Sequence, residues 1–249
     1  MPNAICLGEI LSDFVSTQEG VAVGQAPAFE KKPGGAPANV AVGLARLGVS
    51  AGFIGKVGRD AFGDFLRETL VENGVDVRFM PRTDAAHTTL AFVSLAAGGE
   101  RSFVFYRNPG ADTQLEPSEL DPAYFDGARV FHFGSLSLTH EPARSATLAA
   151  LDLAKQRGLV ISYDPNLREA LWPDLDAARS RILSVLPRAD VLKVSAEEAC
   201  FLTGQSDATT GAAQLAAMGP ALVLLTLGPG GCNASRSPTI SRPTGSSTS

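Results

Sequence analysis

The feature that most constrains the fold is a repeated alternation of short, almost wholly apolar segments with longer amphipathic ones. Segments such as Ala4–Leu7, Ala51–Ile54 and 221–226 have the length and apolarity of strands buried on both faces. Segments 36–47 and 60–73 have helical periodicity, and each is followed by a glycine. The pattern predicts an α/β fold with a doubly wound, mostly parallel sheet and helices on both faces.

Two segments, about 12–33 and 87–107, depart from this alternation. Apolar and polar residues alternate most clearly within 15–30 and 87–106, which is typical of half-exposed antiparallel strands. We therefore expect a small β lid inserted into the α/β body.

The last 18 residues differ in composition from the rest of the chain. Segment 232–249 is rich in Ser, Thr and Pro, and Ile240 is its one large aliphatic residue. Such a segment buries too little apolar surface to offset the entropy of ordering, so we expect a disordered tail. Because a doubly wound sheet does not normally stop after such a strand, residues 1–231 are expected to form an incomplete, C-terminally truncated domain.

Charge and cysteine content exclude several classes of function. The net charge is −5 and no basic block is present, which argues against nucleic-acid or anionic membrane partners. The longest apolar run, 221–225, is far shorter than the about 20 residues of a membrane-spanning helix. Three cysteines without CxxC spacing argue against a disulfide framework or a zinc site, and favour the reducing cytoplasm.

The first polar constellation lies in the N-terminal third of the chain. Gly34 and Gly35 precede a helix that contains Asn39, so the backbone there can approach a ligand closely. A plain helix-entry turn explains the same residues. Asp13 follows the first strand, where parallel sheets bind ligands, although an ordinary turn aspartate is equally consistent.

Three further constellations follow later strands. Asn166 and Arg168 combine an amide and a guanidinium, which suits phosphate or carboxylate recognition as well as a capped helix start. Ser195 and Glu198 have the spacing of a capping box, and the alternative is a place for Glu198 near magnesium. The glycine-rich turn 226–231 is either a phosphate-contacting turn or a simple loop.

Together these motifs resemble the ribokinase-like (PfkB) carbohydrate kinases, and most closely the fructokinases. The resemblance covers residues 1 to about 231 and rests on many motifs in the same order. The matching segments are Gly8-Glu9 with Asp13, 34–41, 53–63, 73–75, 105–107 with Ala111-Asp112, 164–168 with Leu171-Trp172, 193–198 and 226–231.

The resemblance implies transfer of the γ-phosphoryl group of ATP, with Mg²⁺, to a primary hydroxyl of a sugar. It also implies a β lid through which two copies can form a homodimer. The positions implied to bind the sugar are Asp13, Gly34, Gly35, Asn39, Arg107 and Arg168. Those implied to bind the nucleotide are Asn166, Lys193, Ser195, Glu198, Thr226, Gly228 and Gly231, with Glu198 on the magnesium side.

One departure from the family decides what is expected of this sequence. Relatives carry a Gly-Ala-Gly-Asp motif whose Asp is the general base and whose backbone N–H groups hold the transferring phosphoryl group. This sequence lacks the motif, and positions 208–249 contain no acidic residue. We therefore expect a fructokinase-type chain that is inactive as written. A 2-keto-3-deoxygluconate kinase and a non-catalytic, truncated sugar-binding remnant are the alternatives.

Overall fold

The structure is a computed structural model, and it describes residues 1–95 and 101–236. The described strands are β1 (Ala4–Leu7), β2 (Leu11–Ser16), β3 (Phe29–Gly34), β4 (Ala51–Ile54), β5 (Val57–Gly58), β6 (Arg82–Thr83), β7 (Leu90–Leu95), β8 (Arg101–Tyr106), β9 (Val130–Gly134), β10 (Val160–Asp164), β11 (Val191–Ser195), β12 (Leu222–Thr226) and β13 (Cys232–Arg236). The described helices are α1 (Ala36–Arg46), α2 (Ala61–Glu72), α3 (Ala143–Gln156), α4 (Leu175–Ser184), α5 (Ala196–Thr203) and α6 (Ala208–Ala216).

The central sheet confirms the predicted doubly wound architecture. Its strand order is β13-β12-β11-β10-β9-β1-β4, and every neighbouring pair is parallel except β12 and β13. The chain builds outward from β1 in both directions, first to β4 and later to β9 and beyond. The strand order therefore reverses between β1 and β9, and sheets of this kind bind ligands beside such a reversal.

Side-chain alternation along the strands divides the core between two faces. Ile5 and Leu7 of β1 belong to the buried cluster that includes residues of α3 to α6, whereas Cys6 belongs to the cluster with α1 and α2 on the opposite face. This second face is half-buried along β10, β11 and β12, at Ser162, Lys193 and Leu224. Both faces thus carry helices, but the second face is less well covered at the β12 end of the sheet.

Local signals in the sequence place the helix ends. Asp60 caps α2 as predicted, because its Oδ1 accepts the N–H groups of Phe62 and Gly63 at 3.1 and 2.8 Å. The Ser195–Glu198 capping box at the start of α5 is also present. These caps satisfy N–H groups that no residue of the helix itself can reach.

The lid is a separate four-stranded sheet in the order β3-β2-β7-β8. The pairs β2–β3 and β7–β8 are antiparallel as predicted, but β2 and β7 in the middle are parallel. The reason is the long connection between the two hairpins, which passes through α1, β4 and α2 before the chain returns in the original direction.

The C-terminal segment differs from its prediction at its first residues. Disorder was expected from Cys232, but Cys232–Arg236 form β13, which pairs antiparallel with β12. Edge pairing needs only backbone N–H and C=O groups, so a strand can form there without apolar side chains. The remainder of the predicted tail, 237–249, lies outside the described residues, as does lid segment 96–100. None of the described helices has the length and apolarity needed to cross a membrane.

Candidate active site

A cleft of about 360 Å³ opens between the lid and the end of the sheet where the strand order reverses. Lid residues form one wall, and the segments that follow β1, β9 and β10 form the other. The cleft is lined by Glu9, Leu11, Asp13, Gly35, Ala36, Asn39, Phe103, Phe105, Leu136, Asn166 and Arg168. The structure therefore brings together Asp13, Gly35, Asn39, Asn166 and Arg168 of the predicted site.

Asp13 extends from β2 into this cleft and is half-buried. Burial raises the pKa of its carboxyl group, and the positive charge of Arg168 opposes that rise. Gly34 pairs with Leu11 on the neighbouring strand, and a Cβ atom at Gly34 would come within 2.3 Å of Asp13 Oδ2. Gly34 thus leaves room for the Asp13 carboxylate to turn toward the cleft.

The adjoining glycine turn brings the start of α1 against the end of β1. Gly35 has a φ of 107°, and a Cβ atom at this position would lie 2.4 Å from the carbonyl oxygen of Glu9. Only glycine tolerates both the backbone angle and the close approach. Asn39, four residues into α1, consequently lines the cleft beside this turn.

The sequence analysis did not predict the other six lining residues as members of the site: Glu9, Leu11, Ala36, Phe103, Phe105 and Leu136. Glu9 lies at the bottom of the cleft and is only 3% exposed. Phe103 and Phe105 project from one face of β8, with parallel rings 5.8 Å apart. The alternation in segment 87–106 predicts that these two residues share a face, but it does not indicate that the face lies over the cleft.

Arg107 does not line the cleft, in contrast to the substrate contact implied for it. Its guanidinium is buried and bonds Asp112 at 2.7 Å, the Thr139 hydroxyl at 3.0 Å and the Leu136 carbonyl at 2.9 Å. Arg107 borders a neighbouring cavity, beyond Phe103 and Phe105. Because its N–H groups bond to the protein, Arg107 connects the lid to the body of the molecule.

A second cavity of about 230 Å³ continues from the cleft along the ends of β10 and β11. Asn166 and Arg168 line both cavities and so mark the junction between them. Asn166 adopts a φ of 45°, which turns the chain sharply at the end of β10. The second cavity is completed by Leu167, Glu169, Lys193, Ser195, Glu197, Glu198 and Phe201.

Two charged groups of the second cavity, Lys193 and Glu198, are already engaged with other residues of the protein. Lys193 Nζ lies 2.9 Å from Asp164 Oδ2. Glu198 accepts the Leu167 N–H with Oε1 at 2.7 Å and the Ser195 N–H with Oε2 at 2.8 Å. Glu198 therefore ties the loop after β10 to the start of α5.

Three predicted nucleotide-binding residues lie beyond this cavity. Thr226 ends β12 opposite Ser195, and its hydroxyl donates to the Val194 carbonyl at 3.3 Å. Gly228 and Gly231 have φ values of 56° and 92° and form the exposed turn into β13. The turn thus adjoins the cavity through β12 and does not line it.

The carboxylates near this cavity fit magnesium only through water and phosphate oxygens. No group of three or more His, Cys, Asp or Glu side chains that could hold a metal occurs in residues 1–95 and 101–236. Mg²⁺ keeps several water ligands and commonly binds one or two carboxylates plus substrate phosphates. Glu197 and Glu198 can therefore orient the water shell of an ion carried by a nucleotide.

Comparison with known proteins gives matches over most of the chain. Residues 1–245 match the model of the pfkB family of carbohydrate kinases, so the match extends past the boundary predicted at Gly231. The chain is 51% identical over 233 residues to probable fructokinase-6, chloroplastic, of Arabidopsis thaliana. It is also 51% identical over 230 residues to fructokinase-1 of Oryza sativa subsp. japonica. These matches cover 93% and 92% of this chain, but it spans 61% and 71% of the length of the two relatives.

Two solved structures are similar over nearly the whole described fold. The fructokinase of Xylella fastidiosa with bound ATP is 38% identical, with a TM-score of 0.84, 95% of this chain covered and 75% of that chain. The fructokinase of Vibrio cholerae O395 in its fructose-, ADP- and calcium-bound form is 34% identical, with a TM-score of 0.84. That comparison covers 95% of this chain and 74% of the other.

Proposed function

The chain belongs to the pfkB family of carbohydrate kinases, and we propose that it is part of a fructokinase, which phosphorylates a primary hydroxyl of fructose with ATP. The observation that carries the proposal is the pair of joined cavities at the reversal of strand order. The cleft under the lid suits a sugar, and the neighbouring cavity suits the phosphates of a nucleotide. Asn166 and Arg168, at the junction, lie where the phosphoryl group would pass between them.

The polar and apolar walls of the cleft match the two sides of a sugar. Asp13 can accept two hydroxyl hydrogen bonds, and Asn39 can both donate and accept. Phe103 and Phe105 offer an apolar surface for the C–H face of the ring. The glycine turn lets the sugar approach the backbone at the start of α1.

The charge of the cleft favours a neutral ketose over the sugar acid of a 2-keto-3-deoxygluconate kinase. Arg107 is occupied by Asp112 and lies outside the cleft. Arg168, the cation that lines the cleft, faces the negative charge of Asp13. A substrate carboxylate would therefore meet a carboxylate as well as a guanidinium.

We assign ATP to the second cavity, with Asn166, Lys193, Ser195 and Glu198 around its phosphates and the turn 226–231 beyond them. A magnesium ion bound with the nucleotide would neutralise the charge that develops on the phosphoryl oxygens. Arg168 adds a positive charge from the protein itself, and Lys193 contributes as an ion pair with Asp164.

A polypeptide made of these 249 residues should bind fructose without phosphorylating it. The sequence lacks the Gly-Ala-Gly-Asp motif that supplies the general base and the anion hole in relatives. Loss of one donor of an anion hole costs about 10²–10³ in rate, and loss of a general base about 10²–10⁴. Sugar binding needs neither group, so we expect this polypeptide to bind fructose although it does not phosphorylate it.

The test measures fructose binding and ADP formation on the same preparation. We expect fructose to raise the melting temperature by mass action, while a coupled ADP assay reads no more than its blank. Asp13→Asn should weaken fructose binding by about 10–100-fold, because a hydrogen bond to a charged group contributes about 1.5–3 kcal/mol. Asp84→Asn, at an exposed ion pair with Arg59, is the matched control. Fructose-dependent ADP formation would contradict the predicted inactivity. A melting temperature that does not change with any ketose would contradict sugar binding.

The outer face of the lid supports a homodimer. Phe14, Phe92 and Tyr106 form one aromatic cluster there, and Tyr106 is 65% exposed. A second copy of the chain would cover this apolar face, and light scattering of Tyr106→Lys against the unmodified chain measures whether it does. The described cysteines Cys6, Cys200 and Cys232 are free, which supports a reducing compartment, and we assign the cytoplasm.

A further inference from the structure

Glu9 is a buried carboxyl group whose role the proposed function leaves open. It follows β1, lines the cleft and is 3% exposed. Its Oε1 accepts the N–H of Ala36 at 2.9 Å. Its Oε2 is buried and has no hydrogen-bond partner among the described residues. A buried carboxyl oxygen without a partner is uncommon enough to need an explanation.

The hydrogen bond to Ala36 replaces a cap that the sequence cannot supply locally. Helix α1 begins after Gly35, whose φ of 107° excludes the Ser, Thr, Asp and Asn residues that usually cap helices. Glu9, 27 positions before Ala36, satisfies one of the free N–H groups of the helix from the end of β1. Glu9 thereby fastens the glycine turn 34–36 to the central sheet.

The surroundings of Glu9 favour its neutral form. Burial raises the pKa of Glu9 to about 7, although backbone hydrogen bonds and the charge of Arg107 act in the opposite direction. Asp112 adds a smaller rise. The other charged groups nearby are Asp13 and Arg168 across the cleft, and the pair Asp164–Lys193 at the neighbouring strand ends.

A sugar in the cleft would remove the remaining water from this side of Glu9. Further desolvation disfavours the carboxylate, so a fraction of the molecules must bind a proton from the buffer as the sugar binds. We propose that Glu9 is a positioning residue of the sugar site, which holds turn 34–36 through Oε1 and takes up a proton when a sugar fills the cleft. The inference rests on the proposed binding of fructose.

Calorimetric titration with fructose at pH 7, in phosphate and in Tris, measures this proton directly. The two buffers have different enthalpies of ionisation, so the difference between the binding heats measured in them gives the number of protons taken up. Because burial brings the pKa of Glu9 close to the pH of the titration, we expect uptake of a fraction of a proton per sugar. Glu9→Gln should take up none, and Glu19→Gln, at an exposed position, should behave as the unmodified chain does.

Affinity provides the second readout, because Glu9→Gln keeps an oxygen for the Ala36 N–H whereas Glu9→Ala does not. We expect Glu9→Ala to bind fructose about tenfold more weakly than Glu9→Gln, as for loss of a helix cap. Equal affinities of the two variants would overturn the positioning role.

The outcomes separate this inference from the proposed function. If fructose binds with the same heat in both buffers, no proton is taken up and the inference is wrong. If Glu9→Gln takes up as many protons as the unmodified chain, Glu9 is not the group that binds them. Both outcomes leave the proposed function standing. No fructose binding by the unmodified chain overturns the proposed function and, with it, this inference. If Glu9→Gln does not fold, titrations of the unmodified chain between pH 6 and 8 decide, because uptake that does not change with pH across this range contradicts the role of Glu9.

Discussion

Two glycines in one helical region show how the same residue type can have opposite effects on stability. At Gly35, a side chain would force a φ of 107° and a contact of 2.4 Å with the Glu9 carbonyl, so Gly35→Ala should lower the free energy of unfolding by more than about 2 kcal/mol. At Gly43, inside α1, an added Cβ meets nothing within 4 Å. Gly43→Ala should therefore raise the free energy of unfolding by about 0.5–1 kcal/mol. Chemical denaturation of both variants checks the pair, and similar effects at the two positions would contradict it.

Glu9 should also give the free energy of unfolding a measurable pH dependence without any sugar. Its pKa rises from an ordinary 4.5 to about 7 in the folded chain. The stability it contributes is fully present below pH 4.5 and is lost as the pH rises through 7. The difference in unfolding free energy between the unmodified chain and Glu9→Gln should therefore fall by about 3 kcal/mol across this window. Denaturation curves between pH 4.5 and 7.5 measure it, and a constant difference would show that Glu9 is hydrated in the folded state.

At the scale of the element, two aspartate caps provide a matched comparison. Asp60 caps α2 and also accepts the Thr88 N–H with Oδ2 at 2.8 Å. This bond connects the helix to the segment just before lid strand β7. Asp207 caps α6 through Thr210 alone and is fully exposed. Asp60→Ala should cost about 2 kcal/mol of unfolding free energy, and Asp207→Ala should cost less, because solvent surrounds its cap. Equal losses would mean that the bond to Thr88 contributes nothing.

The lowered pKa of Asp60 predicts a second measurable effect, on the pH dependence of acid unfolding. Burial acts to raise it, but the N–H groups of Thr88, Gly63 and Phe62 together lower it below the ordinary 3.8. The stability from these bonds is present above pH 3.8 and is lost as the pH falls through the lowered pKa. Acid unfolding of Asp60→Asn should accordingly show a weaker pH dependence below pH 4 than that of the unmodified chain.

At the scale of the whole molecule, the sheet is unequally covered. Val223 is fully buried against the helices on one face, whereas Leu224 on the other face is half-buried. Leu222 and Val160 share that second face, and Val160 is 45% exposed. Apolar surface of this kind promotes association between chains.

We therefore expect the chain to associate through this second face as its concentration rises. Leu224→Lys should lower association while keeping a cooperative unfolding transition, because the ammonium group can reach water. Val223→Lys, one residue away, should abolish that transition, since it buries an unpaired charge. Light scattering and thermal unfolding distinguish the two variants, and association unchanged by Leu224→Lys would exclude this face as its cause.

The sequence by itself determined the order of strands and helices, because apolar periodicity and caps such as Asp60 are local properties. It also indicated that Asn39 lies near a helix start and Arg168 after a strand end, positions that parallel sheets bring to one edge, whereas Asp13 lies within lid strand β2 and not at a strand end. Only the tertiary structure decided which polar groups remain available to a ligand. Arg107 bonds the Thr139 hydroxyl, 32 positions away, as well as the nearby Asp112, and Glu9 is buried beside the start of α1, 27 positions away.

Only the tertiary structure decided two further features, the parallel pairing of β2 with β7 and the edge strand β13. Strand direction depends on the path of the intervening chain, and an edge strand on the backbone groups that its neighbour presents. Neither is a property of the side chains in the segment itself. The sequence therefore predicted the core residues better than it predicted the direction of β7 or the strand formed by residues 232–236.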